Sequence, residues 1–160
     1  MDDLEDIYLL GSNPKVMQHI NGGKAETREE AKANLEKRIR ISKDVLGYWV
    51  TIAKDQNKTI GWMALKALEE TQEIEIGYRF LEEAWGKGYA TEGGSRLLEY
   101  GFLQLNLPRI VAVARVANKA STRVMEKLGM HYEKTGKFYG VMCAYYAINL
   151  DEYLGHTTVP

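Results

Sequence analysis

The chain has one cysteine, Cys143, in 160 residues, so no internal disulfide can form and a reduced, cytoplasmic setting fits best. No apolar run approaches the roughly 18 residues that span a bilayer, and no signal-peptide pattern opens the sequence. A net charge of −1 provides no whole-molecule field for nucleic acid or for an anionic membrane. The three histidines, His19, His131 and His156, show no metal-ligand spacing with cysteine or paired acids, so no metal is expected. No Ser-His-Asp arrangement is suggested, and no repeat, low-complexity tract or linker divides the chain. What is present is ordinary for a globular protein: 45% apolar and 27% charged residues, most simply a single domain over residues 1–160.

Charge is uneven along the chain. Seven basic residues face four acidic ones between Lys24 and Lys43, and six glutamates face Arg79 alone between Glu69 and Glu83. Both runs read as solvated surface. The acidic one also has the composition to attract a cationic substrate.

The hydrophobic period sets the organisation. A helix over residues 2–10 carries Leu4, Ile7 and Leu10 on one face, ends at Gly11, and is followed by the breaker Ser12-Asn13-Pro14. Asn21-Gly22-Gly23 is a turn, and Thr27 with Glu30 forms a capping box for a helix burying Ala31, Leu35 and Ile39. The period then changes to two. Tyr48–Ala53 and Thr59–Leu65 read as a hairpin, and Glu73–Leu81 is the next strand. Its Ile74, Ile76, Tyr78 and Phe80 fall on one face; Glu73, Glu75, Gly77 and Arg79 fall on the other. A helix from about Thr91 to Asn106, a strand over Arg109–Arg115 and a helix over Asn118–Leu128 stopped by Gly129 follow. Phe138–Leu150 closes the core as one long strand, paired with the segment around Met130–Lys134, and Met125, Met130 and Met142 read as core. His156 falls in a loose tail. The sum is a mixed α/β (α+β) domain with one strand–helix–strand unit.

The chemistry sits between Glu73 and Glu92, where a strand feeds a helix through Trp85-Gly86-Lys87-Gly88-Tyr89-Ala90. Free amides at a helix N-terminus, aligned with its dipole, attract anions, so a phosphorylated ligand is the expected guest. A dinucleotide fingerprint requires a third glycine where Thr91 stands and an acid about 20 residues on, where Ile110-Val111-Ala112 stand. A P-loop pattern is absent. What remains is Gly-x-Gly-x-Ala after an alternating strand.

That remainder resembles the pyrophosphate loop of the GNAT superfamily of acyl-CoA-dependent N-acetyltransferases, a Gln or Arg followed by x-x-Gly-x-(Gly or Ala). Gly88 and Ala90 match its last two fixed positions, while Trp85 replaces the Gln or Arg. An aromatic there, within a Gly-x-Gly-Tyr-Ala-Thr-Glu run, is similar to the branch of ribosomal-protein N-terminal acetyltransferases of the RimJ/RimL type. The second signature of that branch, an Asn-x-x-Ser helix start, is matched by Asn118-Lys119-Ala120-Ser121, and its helix ends in Leu128-Gly129-Met130. The resemblance covers roughly residues 4–153. It implies the GNAT fold, but with a first β-strand that this sequence, opening inside the first helix, does not show. An uncovered hairpin edge would be a route to self-association, so a homodimer is among the expected assemblies.

The resemblance further implies transfer of an acetyl group from acetyl-CoA to an amine by direct attack in a ternary complex, the acceptor being a protein or peptide N-terminal α-amine. Amides of Gly86, Lys87, Gly88, Tyr89, Ala90 and Thr91 are implied to hold the pyrophosphate, and backbone of Arg79, Phe80 and Leu81 to pair with the pantetheine amides. Asn118 is implied to contact the pantetheine arm and Ser121 to hydrogen-bond the departing thiolate. Read alone, these two are also ordinary helix-start residues. Tyr139, Tyr145 or Tyr146 on the last strand are alternatives for the acid. An α-amine near pKa 8 needs about one unit of help at pH 7 and a lysine about three, which makes a base optional for the first and valuable for the second. Glu75 is the candidate base and Glu73 the reserve. Lys87, Lys119, Arg123 and Lys127 are cations suited to the nucleotide phosphates. A small polycationic amine (polyamine or aminoglycoside) as acceptor and a non-catalytic acyl-CoA-binding module are the other readings.

Overall fold

The computed structural model describes residues 4–42, 45–69 and 71–157. Asp2 and Asp3 at the start of the expected first helix, and Lys43 and Glu70 in the charge runs, lie outside the described residues. The elements are α1 (Leu4–Ser12), α2 (Pro14–Met17), α3 (Arg28–Ile41), β1 (Gly47–Ala53), β2 (Lys58–Ala67), β3 (Ile74–Phe80), α4 (Tyr89–Glu99), β4 (Arg109–Arg115), α5 (Lys119–Lys127), β5 (His131–Phe138), β6 (Val141–Asn149) and α6 (Leu150–Thr157). The six strands form one mixed sheet in the order β1-β2-β3-β4-β6-β5. β3 and β4 run parallel, with Glu75 opposite Val111, as a strand–helix–strand crossover through α4 requires. β4 and β5 each pair antiparallel with β6. The mixed α/β class expected from the hydrophobic period is the class observed. Among the described residues no strand precedes α1.

Contacts divide the chain into two compact units, one of Met1–Ala64 with Tyr78–Tyr89 and one of Leu65–Gly77 with Ala90–Pro160. In the first, α1 and α3 bury Ile7, Leu10, Ala31 and Leu35 together, with Val16 of α2 and the partly buried Leu4, Tyr8, Trp62 and Leu81. The Thr27–Glu30 capping box is complete: Thr27 Oγ1 accepts the Glu30 N–H at 3.2 Å and Glu30 Oε2 accepts the Thr27 N–H at 2.7 Å. Ile39 is a correction. It is 51% exposed, because the apolar face of α3 ends one turn earlier, at Leu35.

In the second unit Leu68, Val111, Tyr145 and Ala147 form a core under Val113 and Phe138. Gly129 takes a left-handed φ of +79° after α5, and the Met130 N–H returns to Met125 O at 3.0 Å, the helix stop its position implies. The helix expected to run to Asn106 instead turns π-helical over Tyr100–Gln104, with Leu105 N–H bonded to Tyr100 O at 3.1 Å.

Three further expectations change. The single strand Phe138–Leu150 is two: Phe138 ends β5, and Tyr139-Gly140 turn the chain with φ of +51° and +75° into β6. Left-handed φ at both residues marks a tight hairpin turn that usually takes Asn-Gly, so a tyrosine there disguised it. Residues 150–157 form α6 rather than a loose tail, with Glu152 Oε2 accepting the Asn149 N–H at 2.7 Å in the second half of a capping box. Met142 is 56% exposed on β6, whereas Met125 and Met130 are core as expected.

Candidate functional site

β3 ends at Phe80 and passes through a short 3₁₀ turn, Glu82–Ala84, into Trp85. Trp85 locks this corner twice. Its backbone N–H donates to Glu82 O at 3.1 Å and its indole Nε1–H to Phe80 O at 3.0 Å. Gly86 and Gly88 then adopt φ of +72° and +86°, conformations that an L side chain resists. A Cβ at either glycine would have nothing within 4 Å, so the turn is an open cradle. α4 starts at Tyr89, and the first N–H groups of any helix have no intrahelical acceptor. A reversal of this kind before a helix is suited to an oxyanion.

The backbone of the three residues before the turn is not equally available. The Leu81 N–H donates to Ile60 O at 2.8 Å, and the Arg79 carbonyl lies against Gly61, where a Cβ would meet it at 2.1 Å. Both groups face β2. Phe80 alone points its carbonyl the other way, where the Trp85 indole occupies one of its two lone pairs.

Asn118 is the N-cap of α5, its Oδ1 accepting the Ser121 N–H at 3.2 Å. Ser121 is half-buried in the first turn of that helix. The same helix carries Lys119 and Arg123, which line a cavity of about 380 Å³ with Thr122, Glu126, Tyr132 and Tyr146.

Glu75 is 5% exposed and is not a solvated surface residue. Its Oε1 receives both the Lys66 ammonium and the Tyr139 hydroxyl, and Lys66 Nζ reaches the Tyr139 oxygen at 2.6 Å. Burial works against the Lys66 charge, but Glu75 and Tyr139 hold its ammonium well above the ordinary lysine range. Burial and the bond to Glu75 push the Tyr139 phenol up. The reserve residue, Glu73, is also engaged. It accepts the Tyr145 hydroxyl at 2.6 Å and lies 3.5 Å from Arg109 Nε. Burial and that bond raise the Tyr145 phenol to about 12. Tyr146 gives its hydroxyl to Glu126 at 3.1 Å, and burial again raises it. The three candidate acids are therefore each committed to a carboxylate. Glu82 pairs with Lys15 at 2.6 Å and Glu83 with Lys58, so four of the six glutamates in the acidic run have a basic side chain beside them.

Residues missed by pattern are Lys66, on β2, and Glu26, Arg38 and Trp62 in the other unit. Lys66 interrupts the apolar alternation of β2, the one local signal of its partner. Glu26 is buried, stands before the Thr27 cap, and takes the Asn34 amide at 3.1 Å and Arg79 Nη1 at 3.7 Å.

A family model described as an acetyltransferase (GNAT) domain matches residues 1–131. The chain belongs to the GNAT acetyltransferases. Among its relatives, the uncharacterized protein YkkB of Bacillus subtilis is 35% identical over 144 residues, covering 84% of this chain and 81% of that one. A crystal structure of a GNAT-family acetyltransferase from Bacillus anthracis superposes with a TM-score of 0.80 at 29% identity, covering 94% of this GNAT chain and 90% of the other. The fold is shared by RimL, a ribosomal L7/L12 alpha-N-protein acetyltransferase solved with coenzyme A, at a TM-score of 0.78 and 19% identity over 94% and 90% of the two chains.

Proposed function

We propose that this GNAT protein transfers an acetyl group from acetyl-CoA to a primary amine, in a RimJ/RimL-type branch acting on the α-amine of a protein or peptide. The observation that carries this reading is the open turn at Gly86 and Gly88, with two left-handed glycines leading into α4. Its shape fits a diphosphate: the amides of Gly86, Lys87, Gly88, Tyr89, Ala90 and Thr91 would be its donors, each charge-assisted bond contributing roughly 1.5–3 kcal/mol. Phe80, rather than Arg79 or Leu81, has backbone pointing away from β2 and would pair with the pantetheine amides. Bound acetyl-CoA supplies the activated acyl group as a thioester.

This chain's own residues hold and move the protons. Ser121, whose amide is fixed by Asn118, would offer its hydroxyl to the leaving sulfur. Glu75 would take the proton of the attacking ammonium, and the geometry sets a condition on that role. Its Oε1 already accepts from Lys66 and Tyr139, so an incoming ammonium must either replace one of them or use the second carboxylate oxygen. An α-amine, which needs only about one unit of help at pH 7, makes the smaller demand on a base so engaged. The pairing of the acidic run residue by residue weighs against a small polycation as acceptor, since little free negative charge remains on those side chains.

Thiol release from acetyl-CoA with peptide, polyamine and aminoglycoside acceptors tests the reading. Peptide α-amines should give the largest kcat/KM, and Ser121→Ala should slow turnover about tenfold while leaving CoA affinity within twofold. Turnover of polyamines alone would overturn the acceptor class, and wild-type turnover in Ser121→Ala would remove that residue from the mechanism.

A further inference from the structure

Among the described residues of the first unit, the largely buried guanidinium of Arg79 and the half-buried one of Arg38 share a single buried carboxylate. Both guanidiniums there lie over the Trp62 ring, Arg38 Cζ at 4.7 Å and Arg79 Cζ at 5.4 Å from its centroid, and Arg38 also lies 5.4 Å over Tyr48. The carboxylate acting on both is that of Glu26, which is 8% exposed. Two guanidiniums against one carboxylate leave one positive charge in excess, in a place where the Arg79 side chain is 10% exposed. Burial first, and then the neighbouring Arg38 charge, push the Arg79 guanidinium down to about 10.

The hydrogen-bond inventory has the same sign. Arg38 Nη1, Trp62 Nε1 and Arg79 Nε are sealed from solvent and lack a hydrogen-bond partner among the described residues. All three are donors. Among the described residues the one buried side-chain acceptor without a partner, Glu26 Oε2, rests against Gly11, where a Cβ would come within 2.2 Å. Unpaired buried donors are costly, and a buried charge is costly unless it is paired. Three donors and one unbalanced positive charge describe a receptor for a planar monoanion, which a carboxylate satisfies and a dianionic phosphate would overcharge.

We infer that Arg38, Trp62 and Arg79 form a binding site for a carboxylate, and that the acceptor amine of this acetyltransferase carries one. The acceptor part rests on the reading of the chain as an amine acetyltransferase. Arg79 is well placed for it, since β3 leads from Arg79 through the 3₁₀ turn directly into the Gly86–Gly88 turn. Entry needs one side chain to move. Arg38, half-buried on α3, is held by ring faces and by the Tyr48 hydroxyl rather than by an ion pair at close range, and is the one to move.

Two arms test this. In the first, thermal midpoints are measured with N-acetylglycine and with its neutral partner N-acetylglycinamide at equal ionic strength. N-Acetylglycine at ten times its Kd should raise the midpoint by roughly 3–5 °C, the amide by less than about 1 °C, and Arg38→Met should abolish the difference. Unliganded Arg38→Met should melt within about 2 °C of wild type or above it, because it removes one of two guanidiniums that share a single carboxylate; a purely structural cluster would lose far more. Trp62→Phe, which keeps an aromatic face but deletes the pyrrole half of the indole together with its N–H, should weaken N-acetylglycine severalfold. In the second arm, kcat/KM is compared for free amino acids against their amides, and for peptides with acidic against amide side chains near the N-terminus. A preference of tenfold or more in one pair, lost in Arg38→Met, identifies where the carboxylate comes from. Equal midpoint shifts for N-acetylglycine and its amide, or a carboxylate preference that survives Arg38→Met, would overturn the inference. Absence of thiol release with every amine would overturn the enzymatic reading instead, and the midpoint arm would still report on the carboxylate site.

Discussion

The turn at Trp85–Thr91, as the proposed donor site, and the polar side chains of β2 and β3 would meet charge by opposite means. In the turn the proposed donors are backbone amides, presented by two glycines whose missing side chains leave open space. On the strands the groups are side chains, buried and paired: Lys66 with Glu75 and Tyr139, Arg79 with Glu26 and Trp62. The first design tolerates changes of side chain and fails when the backbone is altered. The second tolerates little, since removing one member leaves its partner buried and unsatisfied. Substitutions can separate the two.

The largest effect is expected from Glu75→Gln. It strands the Lys66 ammonium, whose side chain is 17% exposed, and should cost roughly 3 kcal/mol, a fall of about 6–12 °C in thermal midpoint. Adding Lys66→Met should restore most of that stability. If Glu75 takes the acceptor proton, turnover of the double variant stays low despite its recovered fold; recovery of turnover would reduce Glu75 to a structural partner. Next is Gly61→Ala. Its Cβ would come within 2.1 Å of the Arg79 carbonyl and 2.9 Å of the Phe80 Cα at a φ of +148°, forcing β2 from β3 at a cost of about 2–3 kcal/mol by chemical denaturation. Gly86→Ala, with nothing within 4 Å, should cost only the left-handed strain of about 1–2 kcal/mol.

A smaller effect should appear at high pH. The Tyr145 phenol is raised from about 10 to about 12 in the folded chain, so the folded state holds its proton more tightly than the unfolded state. That contribution is complete below pH 10 and is lost as pH rises through 12. Thermal midpoints should therefore decline between pH 10 and 12, and less steeply in Tyr145→Phe; identical slopes would contradict the Tyr145–Glu73 bond. The smallest effect is Lys87→Ala. A cradle built from amides should lose less than threefold in CoA affinity with the one cationic side chain between its glycines removed.

The same contrast explains what could be read from sequence. The turn was legible because its parts are contiguous and glycines announce the backbone they permit, and the Asn118–Ser121 helix start was legible for the same reason. The side-chain networks were not. Glu26, Arg38, Trp62 and Arg79 come from four elements or loops and share no spacing, so only folding brings them together. Glu75 stood out on its strand, yet alternation put it on a face expected to be solvated, and the break that Lys66 makes in the apolar residues of β2 did not say which side chain it meets. The turn at Tyr139 escaped because a tyrosine holds a left-handed position that usually goes to asparagine or glycine. The α6 helix did carry a signal, Asn149 followed three residues later by Glu152, in a stretch too short for periodicity to stand out.

Calorimetric titration of coenzyme A into wild type and Gly88→Val decides whether the glycine turn holds the acyl donor. A valine at φ of +86° must either strain the turn or reorient its amides, and its branches would fill the space a diphosphate needs. Wild type should bind coenzyme A saturably, and Gly88→Val should bind it about 100-fold more weakly, the loss of one to two charge-assisted bonds, with a thermal midpoint only a few degrees lower. Equal affinity in the two proteins would contradict the assignment of this turn as the acyl-donor site.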